Sequence, residues 1–333
     1  MPKVSVVIPV YNVEKYIERC VRSLFEQTLD SIEYIFVDDG SPDNSISVMQ
    51  KVLADYPHRK EQVKIIRHEV NQGVGFARNH GIAASTGDYV IHCDADDWLD
   101  LELYGAMYKK AVETCADMVH CGFELCFPSS SRRQKFNIPE ALGPSELISA
   151  LLIDQSLGSL CNKMFRGTIA RSAKIICPDH IFINEDVLRA AQMLLECKTL
   201  AVEEKYSYMY RYNPLSASKG RFSRRKLDSI HQAADLMKEV LPQEKFSTAV
   251  MELECKNLMY LIQYPEISSS GEFYSRAGKI GRKKIREHVQ NLGRGCCVFL
   301  NIALVSYRLS CYLYRIAQPV KDFVRRLTGK DRI

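Results

Sequence analysis

The sequence predicts an α/β fold: a mostly parallel sheet with helices on both faces, followed by a helical C-terminal region. Three observations carry this. Strand-like and helix-like stretches alternate through the first 122 residues, as in sheets built from strand–helix–strand units. Three strand-like stretches end in polar groups, at Tyr11, Asp39 and Asp94/Asp96, and in parallel sheets the ligand site lies beyond such ends. From about Ser223 onward the chain keeps helical periodicity and loses its strand signals.

Taken in order, Lys3 to Val10 reads as a buried strand. Val13, Tyr16, Ile17, Cys20, Val21, Leu24 and Phe25 then share one helical face, with Asn12 as the expected N-cap. Glu33 to Val37 is a second strand. Ser41-Pro42-Asp43 opens a helix as cap, first-position proline and first-turn acid. Val63 to Arg67 is a third strand, and Asn71-Gln72-Gly73-Val74-Gly75 leads into a helix ending near Ser85. Tyr89 to Cys93 is a fourth strand, Asp100 to Cys115 a helix, and Met118 to Gly122 a strand that completes the pattern. Phe123 to Pro139 reads as irregular and Ser145 to Ile153 as a short helix. Val187, Leu188, Ala191, Leu194 and Leu195 place a helix directly after Glu185-Asp186. Tyr206 to Tyr212 is strand-like and aromatic, ending at Asn213-Pro214. A boundary near 215–222 gives two domains, 1–218 and 219–333.

The 333 residues are 46% hydrophobic and 26% charged, a globular composition. The twelve cysteines include no CxxC pair, which leaves a structural zinc site without support. The chain opens Met1-Pro2-Lys3 and runs straight into a strand, so the expected compartment is the cytoplasm, with reduced thiols. The net charge of +5 is unevenly placed. Residues 276–333 hold 14 Lys/Arg against 3 Asp/Glu, a local +11 that leaves −6 for the remainder. A basic tail suggests an anionic partner such as membrane lipid. The apolar run from Cys296 to Tyr307, with Arg308 and Arg315 after it, is too short to span a bilayer. It reads either as an interfacial helix or as a core helix of a small helical subdomain.

The chemistry concentrates at Asp94-Ala95-Asp96-Asp97. Crowded carboxylates raise one another's pKa. A divalent cation such as Mg²⁺ or Mn²⁺, sharing its oxygen ligands with a substrate's phosphates, relieves that conflict. The competing reading is a solvated acidic turn capping the helix at Asp100.

Val4 to Asn12, Phe36-Val37-Asp38-Asp39-Gly40-Ser41, Asn71-Gln72-Gly73, Ala77-Arg78-Asn79, Gly87-Asp88-Tyr89-Val90 and Asp94-Ala95-Asp96-Asp97 together resemble the family 2 glycosyltransferases. These are inverting, nucleotide-sugar-dependent enzymes of GT-A fold. Asn162-Lys163, Glu185-Asp186 and the tyrosine-rich stretch at 206–212 resemble bacterial members that build surface polysaccharides. The resemblance covers residues 3–215.

It implies a role for each matching position. Pro9 and Tyr11 would line the nucleobase pocket, with Tyr11 stacking on the base. Asp39 would accept from the uracil N3–H. Arg78 would neutralise phosphate or position the acids, and Ala95 would border the donor. Asp94 would lie by the ribose and the metal, and Asp96 would hold Mn²⁺ or Mg²⁺ against the diphosphate. Asp186 would be the general base, supported by Glu185. Asp97, Trp98, Asn162 and Lys163 would face the acceptor. The implied partners are a nucleotide-sugar donor, probed first as a UDP-sugar, and a glycan or lipid-linked acceptor. An anionic membrane surface could engage 276–333, placing the protein peripherally on the inner face of the cell membrane.

Rival classes fit less well. A phosphohydrolase of haloacid dehalogenase type wants Thr or Val where Trp98 stands. A dinucleotide-binding reading of Gly73 to Arg78 has its third glycine replaced and follows the wrong strand. A nucleic-acid binder would set its phosphates against an acidic crevice, and the basic tail contains no recognised module.

Overall fold

A computed structural model describes residues 1–127, 133–136, 142–175, 177–213 and 222–327. The chain divides into two compact units, 1–220 and 221–333. The predicted boundary at 215–222, with its division at 218/219, falls on 214–221. Those positions lie outside the described residues, apart from Phe222.

In the first unit, strands β1 (Val4–Val10), β2 (Ile32–Asp38), β3 (Val63–Arg67) and β4 (Tyr89–His92) pair in parallel in the order β3-β2-β1-β4. Helices α1 (Ile17–Phe25), α2 (Ser45–Ala54) and α3 (Val74–Ala84) connect them. The β-branched run of β1 is buried on both faces, as a central parallel strand requires. Pro9 is tolerated there because pairing with β4 stops at Val7↔His92, so its missing N–H removes no rung on that side. In α1 the side chains of Ile17, Val21, Leu24 and Phe25 are essentially fully buried. Each contributes about 1.5–3 kcal/mol.

Both predicted helix starts are too early. Asn12 is left-handed, at φ 54°, and does not cap α1. Its N–H donates to Ser41 Oγ (2.9 Å), the Val13 N–H to Ser45 Oγ (3.1 Å) and the Glu14 N–H to Asp43 Oδ2 (2.8 Å). The loops after β1 and β2 brace each other, so the residues expected to cap their own helices are used across the gap.

Beyond β4 the parallel pattern ends. A two-residue strand β5 (Trp98–Leu99) comes next, then α4 (Leu103–Glu113), β6 (Met118–Cys126) and β7 (Arg133–Phe136). These are followed by α5 (Pro144–Ile153), β8 (Lys163–Arg166), α6 (Gly167–Ala170), α7 (Glu185–Glu196) and β9 (Leu200–Arg211). Met118 to Gly122 therefore does not extend the parallel run. The buried strand β8 wedges between β4 and β6, antiparallel to both, and β9 then pairs parallel to β6. Asp100 does not begin α4, because Oδ2 of its carboxylate accepts from the Ser207 N–H (2.9 Å) and ties the loop to β9. Residues 123–126 and 133–136 of the predicted irregular stretch pair as strands, while 128–132 and 137–139 lie outside the described residues.

The second unit is helical: α8 (Arg224–Val240), α9 (Gln243–Gln263), α10 (Ser270–Ile280), α11 (Arg282–His288), α12 (Arg294–Val305) and α13 (Tyr307–Leu327). Its core joins Leu227, Leu258, Leu261, Phe273, Ile285, Leu300 and Leu304. The apolar run at 296–307 gives Leu300, Ala303 and Leu304 to this core, while Val298 and Val305 are exposed. Among the described residues no helix is long and apolar enough to cross a membrane.

Candidate active site

The loop after β2 is built on Asp39. Its amide donates to Val10 O, fixing the β1–β2 strand ends together. Its buried carboxylate accepts from the Gln72 N–H (2.9 Å), the Gly73 N–H (2.8 Å) and His68 Nδ1 (2.8 Å). Asp39 therefore organises the 68–73 loop. Gly40 follows at φ 66°, and a Cβ there would come within 2.8 Å of the Val70 carbonyl carbon. Only glycine allows that approach. Tyr11 is exposed at 47%, with its ring available to a planar ligand.

The acid cluster follows β4. The Asp94 N–H donates to Tyr208 Oη (3.0 Å), and the Asp97 N–H to Asp94 O (3.0 Å), which folds the segment into a turn. Asp96 accepts at Oδ2 from Asn213 Nδ2 (3.3 Å). Burial pushes the Asp96 carboxyl above its ordinary range, and the Asp94 charge adds to this. Burial pushes Asp97 much further, and Asp96 and Asp94 reinforce the shift. Ala95 is buried between them.

Two carboxylates that repel each other at one strand end fit Mg²⁺ or Mn²⁺, which completes its shell with water and substrate phosphate. Asp94 and Asp96 would hold it. Among the described residues no group of three or more His, Cys, Asp or Glu stands ready to hold a metal, so the phosphates would have to supply the remaining ligands.

Arg78, buried on α3, joins this cluster to α7. It donates to Asp94 Oδ1 (2.7 Å) and is ion-paired with Glu185. These acids hold its guanidinium more firmly protonated than usual, against the cost of burial. The adjacent Asn79 binds Cys177 O and Asp179 and accepts from Arg189, so α3 and the 177–189 segment are stitched by side chains. Asp186, half-buried in the first turn of α7, accepts from the Val187 N–H (2.8 Å). Burial raises its carboxyl to about 6, the neighbouring Glu185 adds to the rise, and Arg78 opposes it. A carboxylic acid poised near neutrality beside a buried carboxylate–guanidinium–carboxylate bridge is equipped for proton transfer.

Of the four predicted acceptor-side residues, Asp97, Asn162 and Lys163 bond inward, and Trp98 is half-buried beside the acid turn. Asp97 is 1% exposed and accepts from the Arg211 N–H (2.7 Å), so it locks β9 to the acid turn. Asn162 and Lys163 are buried: Asn162 Nδ2 donates to Cys121 O (3.0 Å), and Lys163 Nζ to Ser159 O (2.7 Å) and Asn162 Oδ1 (3.0 Å). They join β8 to β6, and burial lowers the Lys163 ammonium to about 8. The Trp98 ring lies 3.5 Å beneath the Arg19 guanidinium, against α1. Sequence reasoning did not single out His68, Tyr208, Arg211 and Asn213. His68 follows the end of β3, and the last three sit on or just beyond β9, so strand-end position was the available signal.

The pattern described as Glycosyl transferase family 2 matches residues 5–172. The chain is 30% identical over 225 residues to the uncharacterized glycosyltransferase EpsJ of Bacillus subtilis (strain 168), covering 65% of this chain and 63% of that relative. It thus spans less than two thirds of that relative's length. Two solved structures share the fold. S. aureus TarS 1–349 in complex with UDP-GlcNAc superposes at TM-score 0.70 with 20% identity, over 95% of this chain and 92% of that one. The mannosyltransferase PcManGT of Pyrobaculum calidifontis in complex with GDP-Man and Mn²⁺ gives 0.56 and 15%, over 95% and 87%. With the motifs in order, the sheet of GT-A type and the matched pattern covering half its length, the chain belongs to glycosyl transferase family 2.

Proposed function

We propose that the protein transfers a sugar from a UDP-sugar to a hydroxyl of a glycan or lipid-linked acceptor, with inversion at the anomeric carbon, in surface-polysaccharide synthesis. The observation that carries this reading is the bridge Asp94–Arg78–Glu185 with Asp186 beside it. It couples a diphosphate-side acid to a base-side acid through one buried cation.

Tyr11 and Pro9 hold the base, and Asp39 holds its edge. The acceptor oxygen attacks the anomeric carbon from the face opposite the nucleotide. Its proton passes to an Asp186 carboxylate oxygen as the bond to the diphosphate oxygen breaks, and UDP departs with the electron pair. A bound Mn²⁺ or Mg²⁺ supplies counter-charge to the diphosphate. TarS with UDP-GlcNAc supports the choice of nucleotide, and PcManGT with Mn²⁺ supports the cation. We place the reaction at an anionic membrane surface, engaged through 276–333.

The test is release of UDP from a panel of UDP-sugars, with Mn²⁺ and with excess chelator, alongside the same panel as GDP-sugars. Cation-dependent UDP release is expected. Equal rates in chelator, or release from GDP-sugars alone, would refute the reading.

A further inference from the structure

The helical unit holds a cavity of about 70 Å³ between α8, α9 and α10. Its lining positions on each helix are three and four residues apart: 231, 235 and 238 on α8, 254, 257 and 258 on α9, and 276, 279 and 280 on α10. Each helix therefore gives the cavity one face. The space is that of roughly five to seven water molecules, which is the volume one sugar ring displaces. It is too small for a nucleotide or for a chain of sugars.

The rim balances its own charges. Lys238 Nζ lies 2.9 Å from Glu254 Oε1, and Arg276 Nη1 lies 3.7 Å from Asp235 Oδ2. The floor does not satisfy its own polar groups. Asn257 is 4% exposed, and neither its Oδ1 nor its Nδ2 has a hydrogen-bond partner among the described residues. His231 is 2% exposed, and among the described residues its ring nitrogens make no hydrogen bond either. The ring neighbours the Asn257 backbone and Glu272 without bonding either one. Glu272 Oε1 is 3.9 Å from Nδ1, and that carboxylate already receives Arg224. Burial, with Arg276 beside it, holds the imidazole down at about 4, so near pH 7 it is neutral, with one donor and one acceptor. Glu254 Oε2 is buried and unpartnered as well. Buried polar groups are normally satisfied, so several in one cavity describe what the cavity takes.

We infer that this cavity binds a single uncharged sugar residue through its hydroxyl groups. The unmet demand is for donors and acceptors side by side. An anion only accepts and would face Glu254, whereas a cation only donates and would face Arg276. Hydroxyls on adjacent ring carbons do both, and so can serve Asn257, His231 and Glu254 together. Ala234, Leu258 and Ile280 offer aliphatic surface to the C–H groups of the ring. This binding goes beyond the transfer reaction proposed above and does not rest on it.

The test is saturation-transfer NMR on the full chain with the methyl glycosides of glucose, galactose and N-acetylglucosamine. At least one should bind, and its signal should survive excess UDP and, at matched ionic strength, excess inorganic phosphate. Asn257→Leu and His231→Leu should each weaken binding roughly tenfold, as for a lost hydrogen bond. Both should unfold thermally at or above the parental temperature, because each removes a buried group that the protein leaves unsatisfied. Asn257→Ser, smaller than the parent, gives the same reading where leucine is too bulky. No glycoside binding, displacement by UDP or by phosphate, or parental binding in the variants would overturn the inference. So would lower unfolding temperatures in all three variants, which would make these groups structural. UDP binding is measured alongside. If UDP binds and no glycoside does, the cavity assignment falls and the transfer reading stands. If a glycoside binds and UDP does not, the cavity stands and the transfer reading falls.

Discussion

Asp186 accepts a proton only when ionised, and burial with Glu185 beside it lifts its carboxyl to about 6. Turnover should therefore rise as pH increases through about 6 and level off above it; a pH–rate profile flat from 5 to 8 would contradict this base. Asp186→Asn should lower kcat by about 10²–10⁴-fold, the usual general-base contribution, with UDP affinity by calorimetry near parental. Arg78 acts differently. It is 6% exposed and bridges Asp94 to Glu185, so Arg78→Met leaves carboxylates without their counter-charge. Breaking a buried ion pair from one side costs about 3–5 kcal/mol. Urea unfolding should show a loss of that size, and parental stability would mean that the bridge carries little. Asp39→Ala removes the acceptor for His68, Gln72 and Gly73 as well as the contact proposed for the base. UDP binding should weaken by about 1–3 kcal/mol, the range for hydrogen bonds to a charged group.

The loops at the strand ends hold these side chains, and Gly40 shows how tightly. Its φ of 66° and the 2.8 Å approach of a Cβ to Val70 leave an alanine no room without moving the 68–73 loop. Gly40→Ala should cost about 1–3 kcal/mol of stability, as for a strained backbone position, and weaken UDP binding with it. Unchanged thermal unfolding would show that the two loops adjust independently. The same elements explain what the sequence could reveal. Strands β1 to β4 are short runs rich in β-branched and aromatic residues, closed by polar ones, so the strands themselves were legible. Asp94 and Asp96 stand out as acids where a strand pattern breaks, whereas Asp186 is singled out over Glu185 by the family resemblance. Strand β8 was not legible, because four residues after a loop have no period to read, and its antiparallel insertion depends on pairing partners 40 and more residues away. Asp97, Asn162 and Lys163 read as site residues through the family resemblance alone. Whether a polar side chain faces a crevice or bonds inward is decided by packing, which spacing does not encode. Asn12 and Ser41 failed as caps because side chains of the loop after β2 are used to satisfy the N–H groups of the loop after β1.

Across the whole molecule the charge is divided, +11 on residues 276–333 and −6 on the rest. In the helical unit α12 turns its apolar face inward, but α13 exposes Leu309, Tyr312 and Ile316 at 49%, 63% and 51%. Those positions fall at i, i+3 and i+7 on one face, with Arg308 and Arg315 on the same helix. An exposed apolar stripe beside cations is what an interfacial helix presents to lipid, and each basic residue near an anionic surface adds about 1 kcal/mol. The apolar stripe and the charge make separable contributions. Added salt should weaken binding by screening the charge while leaving the stripe intact. Leu309→Asp with Ile316→Asp should abolish the stripe and leave most of the charge. Co-sedimentation with vesicles is therefore expected to favour anionic over neutral lipid, to decline with salt, and to fall sharply in the double aspartate variant, whose helical circular dichroism should match the parent. The core of this unit rests on Leu300, Leu304, Phe273 and Ile285, which the substitutions do not touch. Equal sedimentation with neutral vesicles would remove the electrostatic half of the argument. Parental binding by the aspartate variant would remove the apolar half and leave the tail's positive charge to hold the surface alone.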